Sequence, residues 1–166
     1  MESITHNLAA VLIQILCFNI FFYPLNIIFT IIFAFLSHFL SDAFSKLTYH
    51  TPEAMKNDKF WITWHIIIYT ASIVTFIIFF LPFWLGMLFV NLPDIIDWFI
   101  LRPIKNKKKR ESPDAIIKKN YSMHQISDWI RIKILFWLPD LTYKKYGVIT
   151  ELIMIGFFSS LIYLFI

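Results

Sequence analysis

The sequence predicts an all-α, polytopic membrane protein with about five transmembrane helices. Of its 166 residues, 58% are hydrophobic and only 16% are charged, a lower charged fraction than soluble domains usually have. Charged residues are absent from 3–41 and from 60–93, and each stretch has room for two spans of about 20 residues. We therefore expect two helical hairpins followed by a C-terminal span.

Prolines divide the two apolar stretches at the places where hairpins need turns. Tyr23-Pro24 interrupts the first stretch and Leu81-Pro82 the second, because proline cannot donate a hydrogen bond within a helix. The predicted spans are about 6–22, 25–46, 60–80, 83–101 and 146–166. The chain then divides into a four-helix membrane bundle (1–101), a basic cytoplasmic segment (102–145) and a final transmembrane helix (146–166).

The basic residues predict the orientation of these helices. Twelve of the 15 Lys and Arg residues lie in 102–145 and the other three in 46–59, whereas the turns at Pro24 and Pro82 carry none. Because positive loops stay in the cytoplasm, we expect an inner-membrane protein with its N-terminus inside and its C-terminus outside. The basic belt 102–110 predicts contact with anionic lipid headgroups and no nucleic-acid partner.

A second kind of helix is predicted within the cytoplasmic segment. From Ser122 to Pro139, apolar residues recur at helical spacing, with Trp129 and Trp137 as aromatic anchors. This pattern is typical of an amphipathic helix lying in the membrane interface. His124 and Asp128 lie four residues apart on its flank, so they are accessory candidates for a polar site.

Six ionisable residues lie in or beside the apolar helices, all at the predicted inner ends. His38 and Asp42 are four residues apart, and Asp94 and Asp97 are three apart, so each pair shares a helix face. Ionisable groups at membrane depth are costly and often functional, and the outer ends of these helices have none. The six residues are His6, His38, Asp42, His65, Asp94 and Asp97.

Histidines and carboxylates at one depth are the usual ligands of a metal site, and these six are the candidate ligands. Imidazole and oxygen ligands without sulfur favour zinc, with manganese or iron as alternatives. Asp94 and Asp97 are also the candidate catalytic carboxylates, since a carboxylate that binds no metal can act as a general base. The order of residues indicates a repeat, with His6 and the His38–Asp42 pair in one hairpin and His65 and the Asp94–Asp97 pair in the other. The alternative is that these groups only cap helices or contact lipid headgroups.

Three short motifs resemble those of the membrane-bound metal-dependent hydrolases, which are small polytopic prokaryotic membrane proteins. They are Ile4-Thr5-His6, Leu36-Ser37-His38-Phe39-Leu40-Ser41-Asp42 and Leu92-Pro93-Asp94-Ile95-Ile96-Asp97. The two acidic motifs occur here in the reverse of the family order. The resemblance implies a helical membrane fold and a divalent metal held by these histidines and aspartates.

The expected function is therefore metal-dependent hydrolysis at the cytoplasmic interface, with a phospholipid or another amphiphilic phosphoester as substrate. The alternative is a non-enzymatic scaffold or partner-binding protein whose polar cluster is structural. A transporter is less favoured, because the outer ends of the helices lack the ionisable residues that would continue a conduction path.

Overall fold

The computed structural model describes residues 2–51, 55, 57–104 and 122–166, and within these residues the chain forms six α-helices. A short 3₁₀ turn, Ser45–Leu47, extends α2, and a π-helical segment, Asp97–Leu101, extends α4. Only 102–104 of the predicted basic belt 102–110 belong to the described residues. The rest of the belt lies outside them. The helices are α1 (Ser3–Ile20), α2 (Leu25–Phe44), α3 (Lys59–Phe79), α4 (Trp84–Ile96), α5 (Gln125–Lys133) and α6 (Gly147–Phe165).

Five of these helices are long and apolar enough to cross a membrane. They are α1, α2 with its 3₁₀ turn, α3, α4 with its extension to Ile104, and α6. This confirms the predicted all-α, polytopic class. The amphipathic helix also forms, but α5 ends at Lys133, and the residues from there to Pro139 form turns.

Helix α1 lies at the centre and packs against α2, α3, α4 and α6. About 67% of its span is buried, compared with 11% of the α6 span. Its core face includes Leu8, Val11 and Ile15, which meet Ile68 of α3 and Met87 of α4 in one apolar cluster. The outer helices therefore turn most of their side chains outward, as expected where the surroundings are lipid.

Helices α1 and α4 approach closely at Gly86. A Cβ atom at this position would lie 2.6 Å from the Ala10 carbonyl oxygen, so a larger residue does not fit without movement of the backbone. The Gly86 amide donates a hydrogen bond of 2.8 Å to Gln14 Oε1. A polar group near the start of α4, which has no partner within its own helix, is thus satisfied by α1.

The segment after α5 folds back on the C-terminal end of α2. The Leu141 amide donates to the Lys46 carbonyl at 2.7 Å, and the His50 amide donates to the Thr142 carbonyl at 3.2 Å. These backbone bonds fix the C-terminal part of the predicted cytoplasmic segment against the bundle, beside the polar residues.

Candidate metal centre

Asp42 on α2 lies between two histidines that come from different helices. Its Oδ1 is 3.1 Å from His6 Nε2 on α1, and its Oδ2 is 3.4 Å from His38 Nε2, one turn earlier on α2. The two imidazole rings stack with their centroids 4.7 Å apart. The first predicted hairpin therefore brings its three polar residues together.

Asp94 on α4 joins the same group. Its Oδ1 lies 3.9 Å from His38 Nε2. Pro93, which is buried inside α4, precedes it, and the helix continues as a π-helical segment from Asp97. Proline removes a backbone donor from the helix, and π-helical turns are frequent at functional sites. The irregular part of α4 thus lies where its two acids are.

His124, which immediately precedes α5, contacts three carboxylates. Its Nε2 is 3.2 Å from Asp42 Oδ2 and 3.1 Å from Asp94 Oδ1, and its Nδ1 is 2.5 Å from Asp97 Oδ2. The hydrogen bonds to Asp42 and Asp94, and to a smaller extent the one to Asp97, raise the pKa of His124 to about 11. Without a metal, this side chain is therefore an imidazolium at neutral pH.

Asp97 holds the chain segment that carries His124. Its Oδ1 accepts a hydrogen bond of 2.8 Å from the Met123 amide, and its Oδ2 accepts one of 2.6 Å from Ser122 Oγ. Together with the His124 contact, these bonds use both carboxylate oxygens in fixing the start of α5. Asp97 therefore positions His124, whereas Asp94 is the acid of α4 that contacts His38.

Arg131 fixes the other end of α5. Its Nη2 donates to the Asp42 carbonyl oxygen at 2.9 Å and to Ser45 Oγ at 3.0 Å, where the last carbonyls of α2 attract a positive charge. Asp128 contacts Arg131 at 3.3 Å, and its side chain is 61% exposed. Asp128, one of the two accessory candidates, is thus part of an exposed ion pair outside the cluster.

His65 does not join the cluster to which the sequence analysis assigned it. Its Nδ1 donates to the Trp61 carbonyl oxygen at 2.8 Å, and its ring stacks on Trp61 with centroids 4.0 Å apart. Tyr49 and Tyr69 contact the ring edge-on. The second hairpin therefore does not repeat the first, because its histidine faces an aromatic group and not Asp94.

A separate buried polar group, at the same end of the bundle as this cluster, was not identified as a site from the sequence. Glu151 on α6, which is 1% exposed, accepts hydrogen bonds from Thr5 Oγ1 and, at 3.4 Å, from the Glu2 amide. Burial raises the pKa of Glu2, but the contact with His50 Nδ1 at 3.0 Å outweighs it and keeps the pKa below its ordinary value. This group attaches α6 to the start of α1.

The ligand atoms of His38, Asp42 and His124 have a spacing that one cation could bridge, lying within 4.8 Å of one another. The His38 side chain is 1% exposed, and neither of its ring nitrogens makes a hydrogen bond to another described residue. Buried polar atoms are normally satisfied, so an unsatisfied imidazole facing two carboxylates fits a metal ligand.

The cluster is open on one side. The side chains of His6 and Asp42 are 5% and 14% exposed, whereas those of His124 and Asp94 are 36% and 40% exposed. A ligand would therefore enter between α4 and the start of α5. Comparison of the chain with protein-family models, with curated proteins and with solved structures finds no match.

Proposed function

We propose that this protein is a membrane-embedded, metal-dependent hydrolase that acts on a phospholipid or another amphiphilic phosphoester at the cytoplasmic interface. The observation that carries the proposal is the buried His38 imidazole, which lies beside Asp42, Asp94 and His124 but makes no hydrogen bond to another described residue. A purely structural network would leave such an imidazole unsatisfied at a cost of about 1–3 kcal/mol.

The donor set favours zinc. His38, Asp42 and His124 supply two imidazoles and one carboxylate, which is the kind of three-residue set found in catalytic zinc sites that keep a fourth position open. Manganese and iron also accept these ligands. A bound divalent cation would act as a Lewis acid that polarises a phosphoryl oxygen and lowers the pKa of water.

The remaining polar residues have separate roles in this proposal. Asp94 is the most exposed carboxylate of the cluster, so it can accept a proton from an attacking water at the open side. Asp97 holds His124 in place, and His6 fixes the orientation of Asp42 from the buried side. His65 has no part in the chemistry.

The substrate class follows from the position of the site. The cluster lies at the helix ends that carry Arg131, Lys133 and Lys145, and positive residues mark the cytoplasmic side. We place the site at the depth of the inner-leaflet headgroups, with the N-terminus inside, the C-terminus outside and the protein in the inner membrane. Phosphoesters of membrane lipids are abundant at that depth.

A structural role is the second candidate, and the His124 contacts favour it. An imidazolium that contacts Asp42, Asp94 and Asp97 can hold α5 against the bundle without any metal. In that case the protein would be a scaffold or a partner-binding module. The two functions differ in whether purified protein binds a metal through His38.

The test is elemental analysis of detergent-purified wild type and of two matched variants, His38→Phe and His65→Phe. Each substitution keeps an aromatic ring that can stack, on His6 in one case and on Trp61 in the other. We expect about one zinc, manganese or iron per chain in the wild type and in His65→Phe, and less than a tenth of that in His38→Phe.

Metal-loaded wild type should then release the headgroup alcohol or the phosphorylated headgroup from phospholipid vesicles, and Asp94→Asn should slow that release about 100-fold or more, in the range of general-base catalysis. Folded wild type that neither retains nor rebinds a metal would overturn the hydrolase and leave the structural role.

A further inference from the structure

A groove lies between α3 and α4 and reaches down to the central helix. The two helices make little contact with each other although both pack on α1, and the space between them has a volume of about 550 Å³. Asn7 of α1, Ser72 of α3 and Asn91 of α4 form its polar floor, and the apolar side chains of Ile73 and Phe76 line its α3 side. All of these residues belong to predicted membrane spans, so lipid has direct access to the groove.

The floor is a chain of hydrogen bonds between helices. Asn7 Nδ2 donates to the Ser72 carbonyl oxygen at 3.3 Å, and Asn91 Nδ2 donates to Asn7 Oδ1 at 3.3 Å and to the Met87 carbonyl at 2.8 Å. Polar side chains at membrane depth are costly unless they are paired or face a cavity. The amides are therefore satisfied while the groove above them stays open.

The groove begins next to the candidate metal centre. Asn7 directly follows His6, and Asn91 lies three residues before Asp94 and so on the same face of α4. Ile73 and Phe76 lie further along α3, towards the middle of the bilayer. A molecule lying in the groove would thus extend from the depth of the cluster into the hydrocarbon.

We propose that this groove binds one acyl chain of a membrane phospholipid and holds the lipid with its phosphoester at the cluster. The part that concerns the phosphoester rests on the proposed function, whereas binding of the chain does not. The volume falls in the range of about 300–1,000 Å³ that is usual for small-molecule sites.

The volume of the groove favours this occupant. One leaflet accounts for about 15 Å of the hydrocarbon core. A volume of 550 Å³ that extends over this length gives a channel about 7 Å wide, which suits one extended chain. A transmembrane helix is about 10 Å across, and only about 7 Å of its length would fit into the same volume. A second copy of this chain or a partner helix would therefore cover the groove without filling it.

The test uses phosphatidylglycerol that carries a diazirine on one acyl chain, mixed into phosphatidylethanolamine nanodiscs that contain the full chain. After illumination, mass spectrometry maps the labelled residues. We expect the label to be concentrated at Ile73 and Phe76 and to be at least fivefold weaker at Ile78, which is 58% exposed but lies on the opposite side of α3 from Phe76 and does not line the groove. Equal labelling of these exposed α3 residues would overturn the proposal.

A pair of substitutions provides the matched control. Ile73 and Ile78 are both on α3 and are 60% and 58% exposed, so tryptophan at either position has a similar effect on the lipid-facing surface. Ile73→Trp should fill the groove and reduce labelling at Phe76 at least fivefold, whereas Ile78→Trp should change it less than twofold. Equal effects of the two substitutions would contradict the proposal.

His38→Phe separates this proposal from the hydrolase. Acyl-chain binding needs no metal, so labelling at Phe76 should be unchanged in this variant. Groove labelling in a protein that binds no metal would refute the hydrolase alone. A metal-binding protein with uniform labelling would refute the groove alone.

Discussion

Substitution of Asp97 by Asn tests whether this side chain holds His124 in the geometry that a metal needs. Asp97 is 8% exposed, and its carboxylate contacts His124 Nδ1 at 2.5 Å, Ser122 Oγ at 2.6 Å and the Met123 amide at 2.8 Å. Asn has nearly the same shape and can still accept the hydrogen bond from Met123. The Nδ2 group, which then takes the place of Oδ2, is a donor and cannot accept from the Nδ1–H of His124, so one charge-assisted hydrogen bond is lost.

The loss of that bond sets the size of the effect. A hydrogen bond to a charged group contributes about 1.5–3 kcal/mol, and about 1.4 kcal/mol corresponds to a tenfold change in affinity. We therefore expect Asp97→Asn to weaken metal binding by about 10- to 100-fold, the range seen when a residue that orients a ligating histidine is removed. The variant should keep its helical content, because the five spans do not depend on this contact.

The assay is a competition titration of zinc against a chromophoric chelator, with Asp128→Asn as the matched control. Asp128 is also near His124 in sequence, but its side chain is 61% exposed and contacts Arg131, so the control should bind zinc as the wild type does. Equal affinities of Asp97→Asn and the wild type would refute the role of Asp97. Equal losses of zinc affinity in both variants would show that removing any nearby negative charge weakens binding, whatever contacts that residue makes.

Two further predictions concern pH and helix packing. The pKa of His124 is raised to about 11, so a proton competes with the metal at every pH below that value. Zinc affinity should therefore rise about tenfold per pH unit between pH 6 and 8. An affinity that does not change over this range would exclude His124 as a ligand. Gly86→Ala should lower stability by about 1–3 kcal/mol, since its Cβ would lie 2.6 Å from the Ala10 carbonyl oxygen. Gly156→Ala has open space around it and should be neutral or slightly stabilising, and thermal unfolding in detergent compares the two.

The sequence predicted the depth of the polar residues along the helices better than the direction in which their side chains point. Depth follows from counting residues along a helix, at about 1.5 Å each, and this placed His6, His38, Asp42 and Asp94 at one level. Direction depends on how each helix is rotated against its neighbours, which a single sequence does not specify. His65 shows the difference, because α3 packs on α1 away from α2 and turns this histidine to Trp61.

His124 shows the opposite case, in which a residue counted as accessory lies at the centre. Its position depends on the course of a long connection between α4 and α5, for which hydrophobic periodicity gives no information. The signals that could have identified it are local: Ser122 and His124 are the kinds of residue that a buried carboxylate such as Asp97 needs as partners, and Arg131 is a suitable partner for the end of α2. Such pairings become evident only when the helices are assembled.

Helix α5 packs beside the cluster on one side and exposes apolar residues on the other. One side of it contacts the bundle, through His124 before its first turn, the buried Ser127 and Arg131. The other side exposes Trp129 (58%) and Ile132 (66%), which suit the membrane interface. We place this exposed apolar side in the membrane interface, so that the helix beside the last candidate ligand would lie at the level of the headgroups. This placement is the reason for proposing a lipid phosphoester over a water-soluble one.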